Sequence, residues 1–208
     1  MSNRQPNLSS SIHASVEEFF AQALATEIGG AEIYKAAIEC AQNEELREEW
    51  EKYLEETEEH IALYTKVIQA NGMDPENMGF PAVVIVQKTA ASLLDLMRTA
   101  QASGDPDAAQ IVAAECIVSA ESKCHLNWEL VGELGKKMKG AGGAAVREAY
   151  EEVHEQENEH LYHTTGWARE LWIQRLGMKA VLPPPEEKKD VKTAIGAEKA
   201  KNARVDML

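Results

Sequence analysis

The chain has 208 residues, a formal net charge of −14 and three cysteines. That length suits one domain with its own core, and the acidic balance argues against nucleic acid or an anionic membrane as partner, because phosphate surfaces are held by Lys and Arg. Cys40, Cys116 and Cys124 fall in no metal-knuckle spacing, and with no leader-like apolar run the expectation is a cytoplasmic protein with reduced thiols.

Residues 1–10 are expected to form a disordered arm, and residues 11–177 a helical domain. Ser11 or Ser15 caps a first helix, in which Phe20, Leu24, Ala31, Tyr34 and Ile38 recur at the three-and-four spacing of a buried stripe. Glu27 falls on that stripe, where a carboxylate is costly unless paired, hydrogen-bonded or bound to a metal. Glu32 lies off the stripe, and solvent explains it. After a turn near 41–44 a second helix presents Trp50, Tyr53, Leu54, Thr57, Ile61, Tyr64, Val67 and Ile68 inward, with His60 on or beside that face. Asn71-Gly72 and then Asp74-Pro75 end it.

Residues 81–102 are predicted as a further helix; the β-branched run at 83–86 would also suit a strand, but no second strand is available to pair with it. Ser103-Gly104-Asp105-Pro106 opens the next helix, whose inner stripe of Ala114, Ile117, Val118, Cys124, His125, Trp128 and Val131 is interrupted by Glu121, with Glu115 a weaker rival. Residues 135–143 read as a glycine and lysine loop. The last long helix turns Tyr150, Val153, Glu157, His160, Leu161, Thr164, Trp167 and Leu171 inward and stops at Gly177. Residues 178–208, with a triple proline at 183–185, are expected to be an extended charged tail, either solvated or docked on a partner protein.

Residues 46–64 and 146–164 align without a gap, with identities at Arg47/Arg147, Glu48/Glu148, Glu51/Glu151, Glu55/Glu155, Glu59/Glu159 and His60/His160. The matched histidines and bulky positions carry the weight, since glutamate-rich helices match by composition alone. Two such hairpins suggest a pseudo-twofold four-helix bundle with a long crossover between its halves. Glu27 lies about as far from the first turn as His60 does, and Glu121 about as far from the second as Glu157 and His160, so each hairpin sets a carboxylate level with a histidine. Glu115 and Glu32 fail that test.

With Glu27, His60, Glu121 and the Glu157-x-x-His160 motif, residues 15–172 resemble the ferritin-like superfamily, which includes rubrerythrins, bacterioferritins and related di-iron carboxylate proteins. The resemblance implies an all-α ferritin-like four-helix bundle of two helical hairpins with an additional crossover helix. It implies Glu27, His60, Glu121, Glu157 and His160 as metal ligands. Thr57 stands where that pattern has a glutamate three before His60, so Glu56 or His125 are substitute ligands. Iron as a di-iron centre is the expected cofactor, with manganese or a mixed iron and manganese pair, or zinc, left open. The implied activity is that of an oxidoreductase reacting with dioxygen or peroxide, ferroxidase-like or peroxidase-like. The alternatives are non-catalytic iron binding or storage and a metal-free helical scaffold. Tyr34, seven residues after Glu27, resembles the family's first helix and is a candidate redox or hydrogen-bonding residue; Trp128 and Trp167 share that spacing from Glu121 and His160, which also suits plain core. His154 and His163 face outward or support the ligands. No Cys-x-x-Cys module is present, so electrons come from a partner or the substrate, and a homo-oligomer is possible.

Overall fold

The computed structural model describes the backbone of residues 8–208 and the side chains from residue 13 onward. Residues 1–7 of the expected arm lie outside the described residues. Helix α1 (Leu8–Cys40) is followed by α2 (Glu44–Ala70), α3 (Pro81–Ala102), α4 (Pro106–Lys137) and α5 (Gly140–Arg175), then by short α6 (Pro185–Lys188), α7 (Ala194–Asn202) and a 3-10 turn at Ala203–Met207. The described residues contain no strand, and the run at 83–86 is helical. Among them no helix is long and apolar enough to cross a membrane. Because α1 begins at Leu8, Ser11 and Ser15 lie inside it rather than at its cap.

Local chemistry sets the other boundaries. Asn43 caps α2 by accepting from the Leu46 N–H at 3.0 Å, and Asp105 caps α4 through the Ala108 N–H at 3.0 Å, with Pro106 in the first turn. The repeated arginines do the same work in each hairpin. Arg47 donates to the Ile38 carbonyl at 3.0 Å near the end of α1, and Arg147 donates to the Gly135 carbonyl at 2.8 Å near the end of α4. Each satisfies carbonyls that a helix end leaves open and sets a cation at the negative end of its dipole.

The glycine loop expected over 135–143 shrinks to Met138 and Lys139 between α4 and α5. Gly140 takes the positive φ of 72° that turns the chain into α5, while Gly135 and Gly143 serve close approach. A Cβ on Gly143 would sit 2.4 Å from the Met138 carbonyl oxygen, and one on Gly135 would sit 3.0 Å from Arg147 Cγ.

Helix α1 packs on α2, α3 and α4, while α5 packs on α4 and α2. Two apolar clusters form in this frame. One joins Ile33, Tyr34, Trp50, Tyr53, Ile117 and Trp167 with their neighbours, and the other joins Phe20, Leu24, Tyr64, Val67, Trp128 and Val153 with theirs. On α1, α2, α4 and α5 alike, the stretch between the two clusters carries the buried polar residues Glu27, His60, Glu121, Glu157 and His160.

Residues 178–208 depart from the expected extended tail. They fold back on α5, with Val181, Val191 and Ala200 buried. Their charges are used in pairs that composition cannot reveal. Glu170, fully buried, accepts from Arg204 Nε at 2.8 Å, from Arg169 Nε at 3.0 Å and from the Val181 N–H at 2.9 Å. Glu186 takes a two-pronged bond from Arg169 at 2.7 and 2.8 Å. Removing one partner of such a buried network strands the others, so Glu170→Ala is expected to lower unfolding free energy by about 3–5 kcal/mol. Glu170→Gln, which still accepts from Val181, loses less; equal urea midpoints for Glu170→Ala and wild type would contradict this account.

Candidate metal centre

Five residues converge in the polar layer: Glu27 from α1, His60 from α2, Glu121 from α4, and Glu157 with His160 from α5. None is more than 2% exposed. They form two groups, Glu27 with His60 and Glu157, and Glu121 with His160 and Glu157, in each of which the ligand-capable atoms lie within 4.8 Å of one another. Glu157 belongs to both.

Each imidazole turns Nδ1 toward the carboxylates. His60 Nδ1 lies 3.0 Å from Glu157 Oε1 and 3.8 Å from Glu27 Oε2, while His160 Nδ1 lies 3.7 Å from Glu121 Oε2. The outer nitrogens are held by neighbours. His60 Nε2 is 3.1 Å from Gln156 Oε1, and His160 Nε2 is 2.8 Å from Glu56 Oε2. Glu56 and Gln156 are mates in the repeat, each serving the histidine of the other hairpin.

The outer carboxylates are held the same crosswise way. Tyr34 on α1 donates to Glu121 at 2.7 Å, and Trp128 on α4 donates to Glu27 at 2.9 Å. Both aromatics are buried, so they are core residues and hydrogen-bond donors at once. Trp167 is different: its Nε1–H reaches Glu49 and Glu187, away from the five.

The structure brings together the five residues named as ligands and leaves the two substitutes outside. Glu56 partners the outer face of His160, and His125 bonds Asn158 at 2.9 Å on the α4/α5 surface. Glu115 accepts from exposed Trp172, and Glu32 pairs with Lys35. His154 bonds the Tyr150 carbonyl. His163 is buried and meets the Tyr53 hydroxyl at 2.9 Å and Glu49 Oε1 at 3.1 Å, while the Tyr53 ring packs on His160 with centroids 4.2 Å apart. Sequence reasoning missed Glu49, Tyr53 and Gln156 as supports. The repeat offset was a usable signal for Gln156 alone.

Of the ten buried side-chain atoms without a hydrogen-bond partner among the described residues, six belong to these five side chains: Glu27 Oε2, Glu121 Oε2, both oxygens of Glu157, and Nδ1 of His60 and of His160. Buried polar atoms are almost always satisfied, and an inward-facing set of carboxylate oxygens and imidazole nitrogens could hold a cation that takes oxygen and nitrogen ligands.

Charge crowding shows in the protonation of these groups. Burial, then the nearby Glu27, pushes the Glu157 carboxyl up to about 8. Burial lowers the imidazoles, but neighbouring carboxylates more than offset it. Glu157 and Glu27 leave His60 well above its usual range, and Glu121 and Glu56 lift His160 to about 9. A group whose pKa is raised on folding contributes stability below its unfolded value and loses it as pH climbs through the folded one. For Glu157 that window runs from 4.5 to about 8, and for His160 from 6.5 to about 9. The metal-free protein is therefore expected to lose thermal stability steadily from pH 6 to pH 9, and Glu157→Gln to lose less over that range. A midpoint flat or rising across it would refute the crowding.

No protein-family model matches this chain, and no curated protein or solved structure matches it either.

Proposed function

We propose that α1, α2, α4 and α5 are a ferritin-like four-helix bundle around a two-metal carboxylate site, and that the protein is an oxidoreductase whose centre meets dioxygen or peroxide. The observation that carries this reading is the set of six unpartnered, buried ligand atoms arranged in two groups that share Glu157.

Bound there, iron or manganese would supply one-electron chemistry toward the oxidant. The protein's part is positioning. Glu157 reaches both groups and would bridge; Glu27 and His60 would hold one metal, Glu121 and His160 the other. Gln156 and Glu56 fix the imidazole rings from behind, and the Tyr34 and Trp128 donors fix the two outer carboxylates. Apolar clusters above and below keep water from competing with the ligands. Three carboxylates against two divalent cations leave one positive charge, which suits an incoming anion or oxidant-derived oxygen. The net charge of −14 favours a cationic reductant such as ferrous iron over an anionic organic one.

Elemental analysis of protein purified without chelator tests the reading. Wild type is expected to carry close to two iron or manganese ions, Glu157→Ala to lose both, and Glu27→Ala to keep the one held by Glu121, Glu157 and His160. Wild type devoid of metal after anaerobic iron loading would leave only a helical scaffold with a polar core. Metal retained without oxygen consumption would leave iron binding or storage. Glu56→Ala, which removes only the support of His160, is expected to weaken metal affinity by about 10–100-fold, measured by competition with a chromophoric chelator; unchanged affinity would count against that role.

A further inference from the structure

The two hairpins match except on one side of the centre. Where α5 offers Glu157, its repeat mate on α2 is Thr57, a shorter side chain whose hydroxyl is turned back to the Tyr53 carbonyl at 2.7 Å. Three residues after Glu27 stands Gly30, and three after Glu121 stands Cys124. These three small residues meet: a Cβ on Gly30 would lie 3.8 Å from Thr57 Cγ2 and 3.9 Å from Cys124 Sγ. Cys124 in turn adjoins the centre. Its thiol is pushed up by burial and then by the charges of Glu27, Glu121 and Glu157.

Behind Gly30, between α1, α3 and α4, lies a crevice of about 300 Å³. Its wall is mostly apolar, with Gly30, Ile33, Ile85, Val86, Leu93 and Ala120, while Thr26, Thr89, Ser119 and Lys123 are its polar members, so it offers little to a cation or a strongly polar molecule. Enclosed apolar cavities take up neutral guests such as xenon, and this crevice, open to solvent at its mouth, presents a similar mostly apolar wall at its inner end. Gly30 is the one residue common to the crevice and to the Thr57 and Cys124 side of the centre.

We propose that this crevice is the seat and entry path for a small, neutral, apolar molecule of the size of dioxygen, admitted to the centre past Gly30 on the side left short by Thr57. The missing side chain at Gly30 is the opening. Cations would reach the centre elsewhere, since the crevice walls carry no carboxylate. The inference rests on the reading of the centre as an oxidant site, but the seat itself is defined without metal.

The test is xenon pressurisation of crystals of the metal-free full chain, followed by stopped-flow oxidation of the iron-loaded protein. Xenon is expected in the crevice beside Gly30 in wild type and in Gly30→Ala, since the 3.8 and 3.9 Å spacings accommodate a methyl group. Thr89→Trp, which changes an exposed residue at the mouth and leaves the core alone, is expected to lose the xenon and to slow oxidation several-fold at unchanged metal content. Gly30→Leu, which fills the inner end, is expected to do the same. No xenon beside Gly30 in wild type would overturn the seat. Oxidation as fast as wild type in a Thr89→Trp protein that has lost its xenon would overturn the path, while leaving the metal centre standing. A wild type that takes up no metal would instead sink the reading of the centre, with the xenon result still deciding the seat.

Discussion

Three carboxylates in a layer closed to water are the constraint around which the molecule is arranged. Glu157 lies within ligand range of both Glu27 and Glu121, and at an effective dielectric of about 20 each such pair of charges repels by roughly 3–4 kcal/mol. Protons, imidazolium or metal must neutralise them. In the metal-free molecule the first two serve: Glu157 holds its proton to about 8, His160 to about 9, and the carboxylates beside His60 raise it well above its usual range. A bound metal would do the same task by displacing those protons, so its uptake would be tied to proton release and would strengthen as pH rises. The layer persists because apolar clusters on either side anchor all four helices that cross it.

Near-symmetry lets one set of solutions serve twice. Arg47 and Arg147 close the helix end before them; Tyr34 and Trp128 each cross to the other hairpin's carboxylate; Glu56 and Gln156 each brace the other hairpin's histidine. These crossings stitch the hairpins together, since each ligand is oriented by a residue from the half that does not supply it. The symmetry fails at Thr57 opposite Glu157 and at Gly30 opposite Cys124. A second glutamate at Thr57 would raise the carboxylate count in the layer to four. Its absence lowers the electrostatic cost and leaves one flank of the centre short of side chain.

The pattern of residues made the helices and the five convergent side chains legible, because each depends on spacing along a single helix and on distance from a turn. A glutamate that interrupts an apolar stripe is visible without coordinates. Its support is not. Glu49, Tyr53 and His163 meet across more than 100 residues, and nothing in the local pattern distinguishes Glu49 from the solvated glutamates beside it. The segment after Gly177 was opaque for the same reason. Its charged composition resembles that of a solvated chain, yet Arg204 and Glu186 are matched to Glu170 and Arg169 on α5. At 135–143, the glycines that signal a long loop do separate tasks in a two-residue connection: Gly140 makes the turn, Gly135 lets α4 approach α5, and Gly143 clears the Met138 carbonyl.

That C-terminal segment also reaches the centre by a short chain of contacts. Trp167 donates to both Glu49 and Glu187 at 2.5 Å, so two carboxyl groups share one donor. Burial, then the adjacent Glu49, lifts the Glu187 carboxyl to about 9. Glu49 holds the hydroxyl of Tyr53 at 2.5 Å, and the Tyr53 ring lies against His160. His160 is therefore located on three sides, by Glu56 at its outer nitrogen, by Tyr53 on its face and by the carboxylates before it. Of the groups around Glu49, only Glu187 comes from α6; Tyr53, His163 and Trp167 hold it from α2 and α5. The segment after the last long helix therefore abuts the scaffold of the candidate centre through Glu187, which shares the Trp167 donor with Glu49.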